Sequence, residues 1–121
     1  MQDYKRLKVW EKGMDFVSVA YDLGQQLPGY EQFALRSQLQ KASVSIPSNI
    51  AEGSSRSSKK DFARFVEISL GSAFECETLL LVIQRQHVRR RPSLKTMVNT
   101  ALTQIEEIKK MVYSFRERLV A

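Results

Sequence analysis

Eight apolar residues, Leu94, Val98, Ala101, Ile105, Ile108, Val112, Phe115 and Leu119, recur near the end of the chain at alternating spacings of four and three. An α-helix turns every 3.6 residues, so the series lies along one stripe of coiled-coil character that other helices must cover. Pro92 suits the first turn of this helix, read over 93–119.

Three more patterns of this kind precede it. Over 7–26, Leu7, Trp10, Met14, Val17, Tyr21 and Gly24 form a stripe that Val9, Phe16, Ala20 and Leu23 widen. Such a face suits a helix with two or more neighbours, and Leu27-Pro28-Gly29 ends it. Over 31–52, Leu35, Leu39, Ala42, Ile46 and Ile50 keep the same spacings. Residues 42–46 also alternate as a strand would, but the length of the pattern and the lack of a partner strand favour helix. Pro47 deletes one helical hydrogen bond and crowds the Ser43 carbonyl, at a cost of about 3 kcal/mol. A kink or break is therefore expected at 45–47, with a further turn through 49–52 and a stop at Gly53. The hydroxyls of Ser43, Ser45 and Ser48 are available to the freed groups.

Ser58 followed by Asp61 resembles a helix N-cap with an acidic partner. The helix it opens, over 59–86, has the seam Phe62, Phe65, Ser69, Ser72, Cys76, Leu79 and Ile83. Ser69, Gly71, Ser72, Ala73 and Cys76 leave its middle thin. Gly71 weakens a helix by about 1 kcal/mol, which close approach of another helix would offset. Four long helices with short connections specify an all-α fold, most simply an antiparallel up-down-up-down four-helix bundle. A chain of 121 residues suits one domain, 1–121.

The inventory of reactive side chains is sparse. One cysteine, Cys76, excludes a disulfide framework and a cysteine-based zinc site, and neither a metal nor a cofactor is expected. Cys76 reads as a buried structural thiol. The only histidine, His87, borders a basic run with no carboxylate evident beside it, and reads as a solvated helix-end residue rather than a base. Glu75 and Glu77 fall on different helix faces, while Glu106 and Glu107 pair with Lys109 and Lys110 along one helix. No phosphate-binding glycine loop or nucleophile elbow is present, and the chain is not expected to be an enzyme. The charged residues of the first twelve positions leave no room for a signal peptide, and the longest apolar run, 79–83, is far short of the roughly 20 residues that cross a bilayer. A cytoplasmic protein without a membrane partner is expected.

Base exceeds acid, 19 Lys and Arg to 13 Asp and Glu, for a net charge of +6. The excess is clustered. Arg85, Arg89, Arg90, Arg91 and Lys95 share an eleven-residue window without an acid, and Arg56, Lys59, Lys60 and Arg64 lie at the other end of the third helix. Such groups suit sequence-independent phosphate contacts with RNA or DNA. A solvated, arginine-rich connection has the same composition. No aromatic motif of the kind that reads bases is present.

Ser45-Ile-Pro47-Ser48-Asn49-Ile-Ala-Glu52-Gly53, with Arg36 and Lys41 before it and Arg56, Ser58 and Phe62 to Phe65 after it, resembles the core motif of a bacterial four-helix-bundle family named for proteins encoded in intervening sequences of 23S rRNA genes. The opening Tyr4-Lys5-x-Leu7-x-Val9-Trp10-x-Lys12-x-Met14 and the run Ile68-x-Leu70-Gly71-Ser72-x-x-Glu75-x-Glu77-Thr78 are similar to its first and third helices. The likeness covers most of 4–83 and departs after Gln84, where relatives often have a Leu-Gly-Tyr-like turn. It implies an antiparallel bundle assembled as a ring-shaped homopentamer, with no assigned biochemical activity. It also implies a relation to accessory proteins of diversity-generating retroelements, for which a reverse transcriptase and nucleic acid are partners. Ser45, Pro47, Ser48, Asn49, Glu52, Gly53, Gly71, Ser72 and Glu75 are then structural or interface positions. The expectation is a non-enzymatic oligomer that binds nucleic acid through Arg56, Lys59, Lys60, Arg64, Arg85, Arg89, Arg90 and Arg91; the alternative is a protein scaffold or adaptor with incidental charge.

Overall fold

A computed structural model describes residues 3–121. Its long helices are α1 (Lys8–Gln25), α2 (Leu35–Ser54), α3 (Lys59–Ile83) and α4 (Lys95–Val120), and the described residues contain no strand. α1 packs on α2, α2 on α3, α3 on α4 and α4 on α1, closing a four-membered arrangement around one apolar core. None of these helices is long and apolar enough to cross a membrane.

The α4 stripe is buried as its spacing requires from Val98 through Val112, and Phe115 continues it half-buried, edge-to-face with Phe62 at 5.5 Å between ring centres. On α1 the buried line is Val9, Gly13, Phe16, Ala20, Leu23 and Gly24, whereas Met14 and Tyr21 are exposed. The stripe expected through Met14 and Tyr21 is thus displaced, because the glycines and not the large side chains mark the contact. A Cβ on Gly13 would lie 3.3 Å from Ile46 Cγ2 and 3.4 Å from Pro47 Cβ, and one on Gly24 would lie 3.1 Å from Arg36 Cγ. Arg36 fills that second space and its Nε donates to the Gly24 carbonyl at 2.8 Å, a second bond beside that from the Leu27 amide at the end of α1.

α2 begins at Leu35, four residues later than its pattern suggested, because Gly29–Glu31 forms a 3-10 turn after Pro28. It runs unbroken through Pro47 and past Gly53 to Ser54, so of the kink or break expected at 45–47 the break is absent, and the stop falls one residue after Gly53. Polar side chains hold the carbonyls around the proline. Ser48 Oγ donates to the Val44 carbonyl at 2.8 Å, Asn49 Nδ2 to that of Ser45 at 2.8 Å, and Ser69 Oγ of α3 to that of Ile46 at 2.9 Å. Ser43 Oγ turns instead to the Gln40 carbonyl. Gly53 lies where α2 meets α3: a Cβ there would stand 2.8 Å from both Phe62 Cδ1 and Phe65 Cβ.

Ser58 caps α3 by accepting from the Asp61 amide at 3.1 Å. α3 ends at Ile83 rather than at 86, and a wider π turn over Gln84–Val88 follows. Within the subunit nothing approaches Gly71, so the close packing expected there falls at Ser69 and Ser72. Lys109 ties α4 to α3, its Nζ 3.0 Å from Glu77 and 2.9 Å from Glu106, above the Phe74 ring at 4.6 Å. Hydrogen bonding and charge from Lys109 hold the Glu106 carboxyl below its usual range.

Candidate nucleic-acid interface

The two basic groups occupy the two ends of α3, about 37 Å apart at 1.5 Å per residue. Lys59, Lys60 and Arg64 are exposed and form no ion pair among the described residues. Arg56 differs. Its Nη2 is 3.3 Å from Glu52 Oε1, one turn earlier, and its guanidinium lies 4.5 Å from the centre of the Phe65 ring.

The second group surrounds the connection from α3 to α4. Arg85, Arg89 and Arg90 are exposed, as is Lys95, and none has a carboxylate partner among the described residues. Arg91 is committed elsewhere: its guanidinium donates to the carbonyl of Gln26 and, at 3.1 Å, to Gln26 Oε1. It fastens the α3–α4 connection to the end of α1.

His87 corrects its sequence reading. It is buried, 5% exposed, and its Nε2 is hydrogen-bonded with Glu31 Oε2 at 2.6 Å. The wide π turn directs the ring inward while the arginines on either side remain outside. Glu31 lies 56 residues earlier, in the α1–α2 connection, and the bond holds the two connections together at one end of the bundle. Glu31, the only acid of residues 26–34, is therefore turned to His87, and the segment 85–95 opposite it carries five Lys and Arg and no acid. The same contact brings in Tyr30, whose ring centre is 6.1 Å from that of His87, in a connection that also carries Phe33. The sequence reading assigned neither aromatic a role; their position just after the Pro28-Gly29 turn was the available signal.

The motif positions divide between frame and surface. Ser45 Oγ is 2.7 Å from Ser72 Oγ and accepts from Asn49 Nδ2 at 2.9 Å, so Ser45, Asn49 and Ser72 join α2 to α3 beside the buried Pro47. Gly53 is the close crossing point described above, and Glu52 holds Arg56. Ser48, Gly71 and Glu75 face outward. Cys76 is wholly buried, and its thiol pKa is pushed up to about 12 by burial, with the Glu75 charge adding to the rise. A thiol held so far from its thiolate is a poor nucleophile at neutral pH. No cluster of three or more His, Cys, Asp or Glu residues able to hold a metal ion occurs among the described residues.

The fold is shared with a solved structure of a protein of unknown function from the S23 ribosomal protein family of Bacteroides thetaiotaomicron. It is similar to this chain at a TM-score of 0.77 and 24% identity, over 89% of this chain and 97% of that one. No curated protein matches the chain. The family model described as 23S rRNA-intervening sequence protein matches residues 5–114, and the chain belongs to that family.

Proposed function

We propose that this protein is a non-enzymatic, oligomeric helical bundle that binds RNA or DNA through phosphate contacts without base-specific readout. The observation that carries the reading is the set of exposed cations at the ends of α3, Lys59, Lys60 and Arg64 at one end and Arg85, Arg89 and Arg90 at the other, none of them in an ion pair among the described residues. Arg56 and Arg91 are exposed as well but also bond within the subunit, Arg56 to Glu52 and Arg91 to Gln26.

Short connections between helices that touch in chain order support an antiparallel up-down-up-down arrangement. Ile68, Phe74, Leu81 and Val82 of α3 are exposed, and Gly71 between them faces open space. An apolar strip of this kind favours assembly of copies of the chain. In the ring of five that the family resemblance suggests, the charge of +6 per chain would reach +30 and form a strong field for a polyanion. The same apolar strip also suits a protein partner, such as a reverse transcriptase, in a scaffold with incidental charge.

A gel-shift series with structured RNA tests the reading. Binding is expected at about 50 mM salt and should weaken about 10³-fold by about 200 mM if six phosphates are neutralised. Failure to bind at the lower salt, or binding indifferent to salt, would refute it. Light scattering tests the assembly, since a mass near 13.9 kDa is that of one chain.

A further inference from the structure

Two large aromatic side chains project from the end of the bundle that carries the arginines. Phe33 is 89% exposed and Tyr30 is 70% exposed. Each could have turned into a core, but the connection holding them is fixed in another way. Glu31, between them, is anchored on His87, and Gln26 is held by Arg91. The aromatics are thus displayed on a short connection bonded at two points to the segment bearing Arg85, Arg89 and Arg90, and the Tyr30 ring stands over that segment beside His87.

We infer that this end of the bundle is a binding site for single-stranded nucleic acid, in which Tyr30 and Phe33 stack on unpaired bases while the neighbouring arginines hold the phosphates. This rests on the nucleic-acid reading above and names its substrate form. A duplex offers its phosphates but keeps its base faces stacked on one another, whereas a single strand offers both. Every base has a π-face, so stacking adds affinity without reading sequence, in keeping with the lack of any base-reading motif. Charge complementarity decides for a polyanion over an apolar peptide: residues 85–95 carry five Lys and Arg and no acid, against the single acid Glu31 in residues 26–34. Asp22 lies to one side, near Ser93 and Thr96 at the start of α4.

Two strands with equal numbers of phosphates test the site, an oligothymidylate of about 15 nucleotides and an abasic strand of the same length, compared at low salt. The strand with bases should bind at least about fivefold more tightly, the lower end of what one stacked base contributes. In the double variant Tyr30→Leu, Phe33→Leu that advantage should disappear while affinity for the abasic strand is unchanged. Both side chains are exposed, and a far-ultraviolet spectrum would check that the variant keeps its helices. Equal affinity of the native protein for the two strands, or an advantage that survives in the double variant, overturns the stacking site and leaves the phosphate reading standing. No binding of either strand overturns both.

Discussion

Nε2 of His87 lies 2.6 Å from Oε2 of Glu31, across 56 residues of sequence, and both side chains are largely shielded from water. The bond joins the α1–α2 and α3–α4 connections, so it fixes the geometry of the end where the arginines and exposed aromatics meet. Removing either partner leaves a buried polar group unmatched, at a cost of about 1–3 kcal/mol. Urea unfolding of Glu31→Ala and His87→Ala should each show that loss. The double variant should lose less than the two together by about 0.5–3 kcal/mol. Strict additivity would mean that the two side chains act independently.

Two glycines should respond to alanine with opposite signs. At Gly53 the new methyl would stand 2.8 Å from Phe65 Cβ, an atom tied to the backbone of α3, and overpacking should cost about 1–3 kcal/mol. At Gly71 it would meet nothing within 4 Å, and the better helix former should add up to about 1 kcal/mol to the stability of the subunit. Thermal unfolding of the two variants gives both signs. If Gly71→Ala also destabilises, or dissociates an oligomer, a second chain packs against that position.

Cys76 should be inert in the folded protein. At about pH 8, modification by a thiol reagent should proceed at the rate of unfolding and become fast in denaturant. The pKa rise also fixes a sign. The unfolded thiol ionises near its ordinary value of 9.0 and the folded one only near 12, so the folded state retains a proton that the unfolded state has lost. Stability is unaffected below about pH 9 and falls as pH rises from there towards 12, by at most about 1.4 kcal/mol per pH unit from this group. The difference in stability between the native protein and Cys76→Ala across alkaline pH isolates the effect, and a constant difference would contradict it.

What the sequence made legible was whatever periodicity alone decides. The alternating series of α4 placed Val98 through Val112 in the core, and the Ser58 cap marked the start of α3. Where contact depends on the absence of a side chain, counting apolar residues misleads, and Gly13 displaced the α1 stripe from Met14 to Phe16. The bond from Ser69 of α3 to the Ile46 carbonyl beside Pro47 joins two helices, and no local reading could supply it. The basic side chains were visible as a cluster, but their division was not. Capture of Arg91 by Gln26 and of His87 by Glu31 joins residues 65 and 56 positions apart, and only the packed bundle brings them together.

That division of the arginines gives the most direct test of phosphate binding. The affinity for a structured RNA should be measured from about 50 to about 200 mM salt for the native protein, for Arg91→Gln, and for the triple variant Arg85→Gln, Arg89→Gln, Arg90→Gln. Each lost phosphate contact reduces the slope of log affinity against log salt by about 0.7–0.9, so the triple variant should lose about 2–3 from its slope. Arg91→Gln should weaken the fold, because its guanidinium is bonded to Gln26, and should lower the slope by no more than the about 0.9 of a single contact. A triple variant with the native slope, or a native protein that binds no RNA at about 50 mM salt, would contradict the phosphate mechanism.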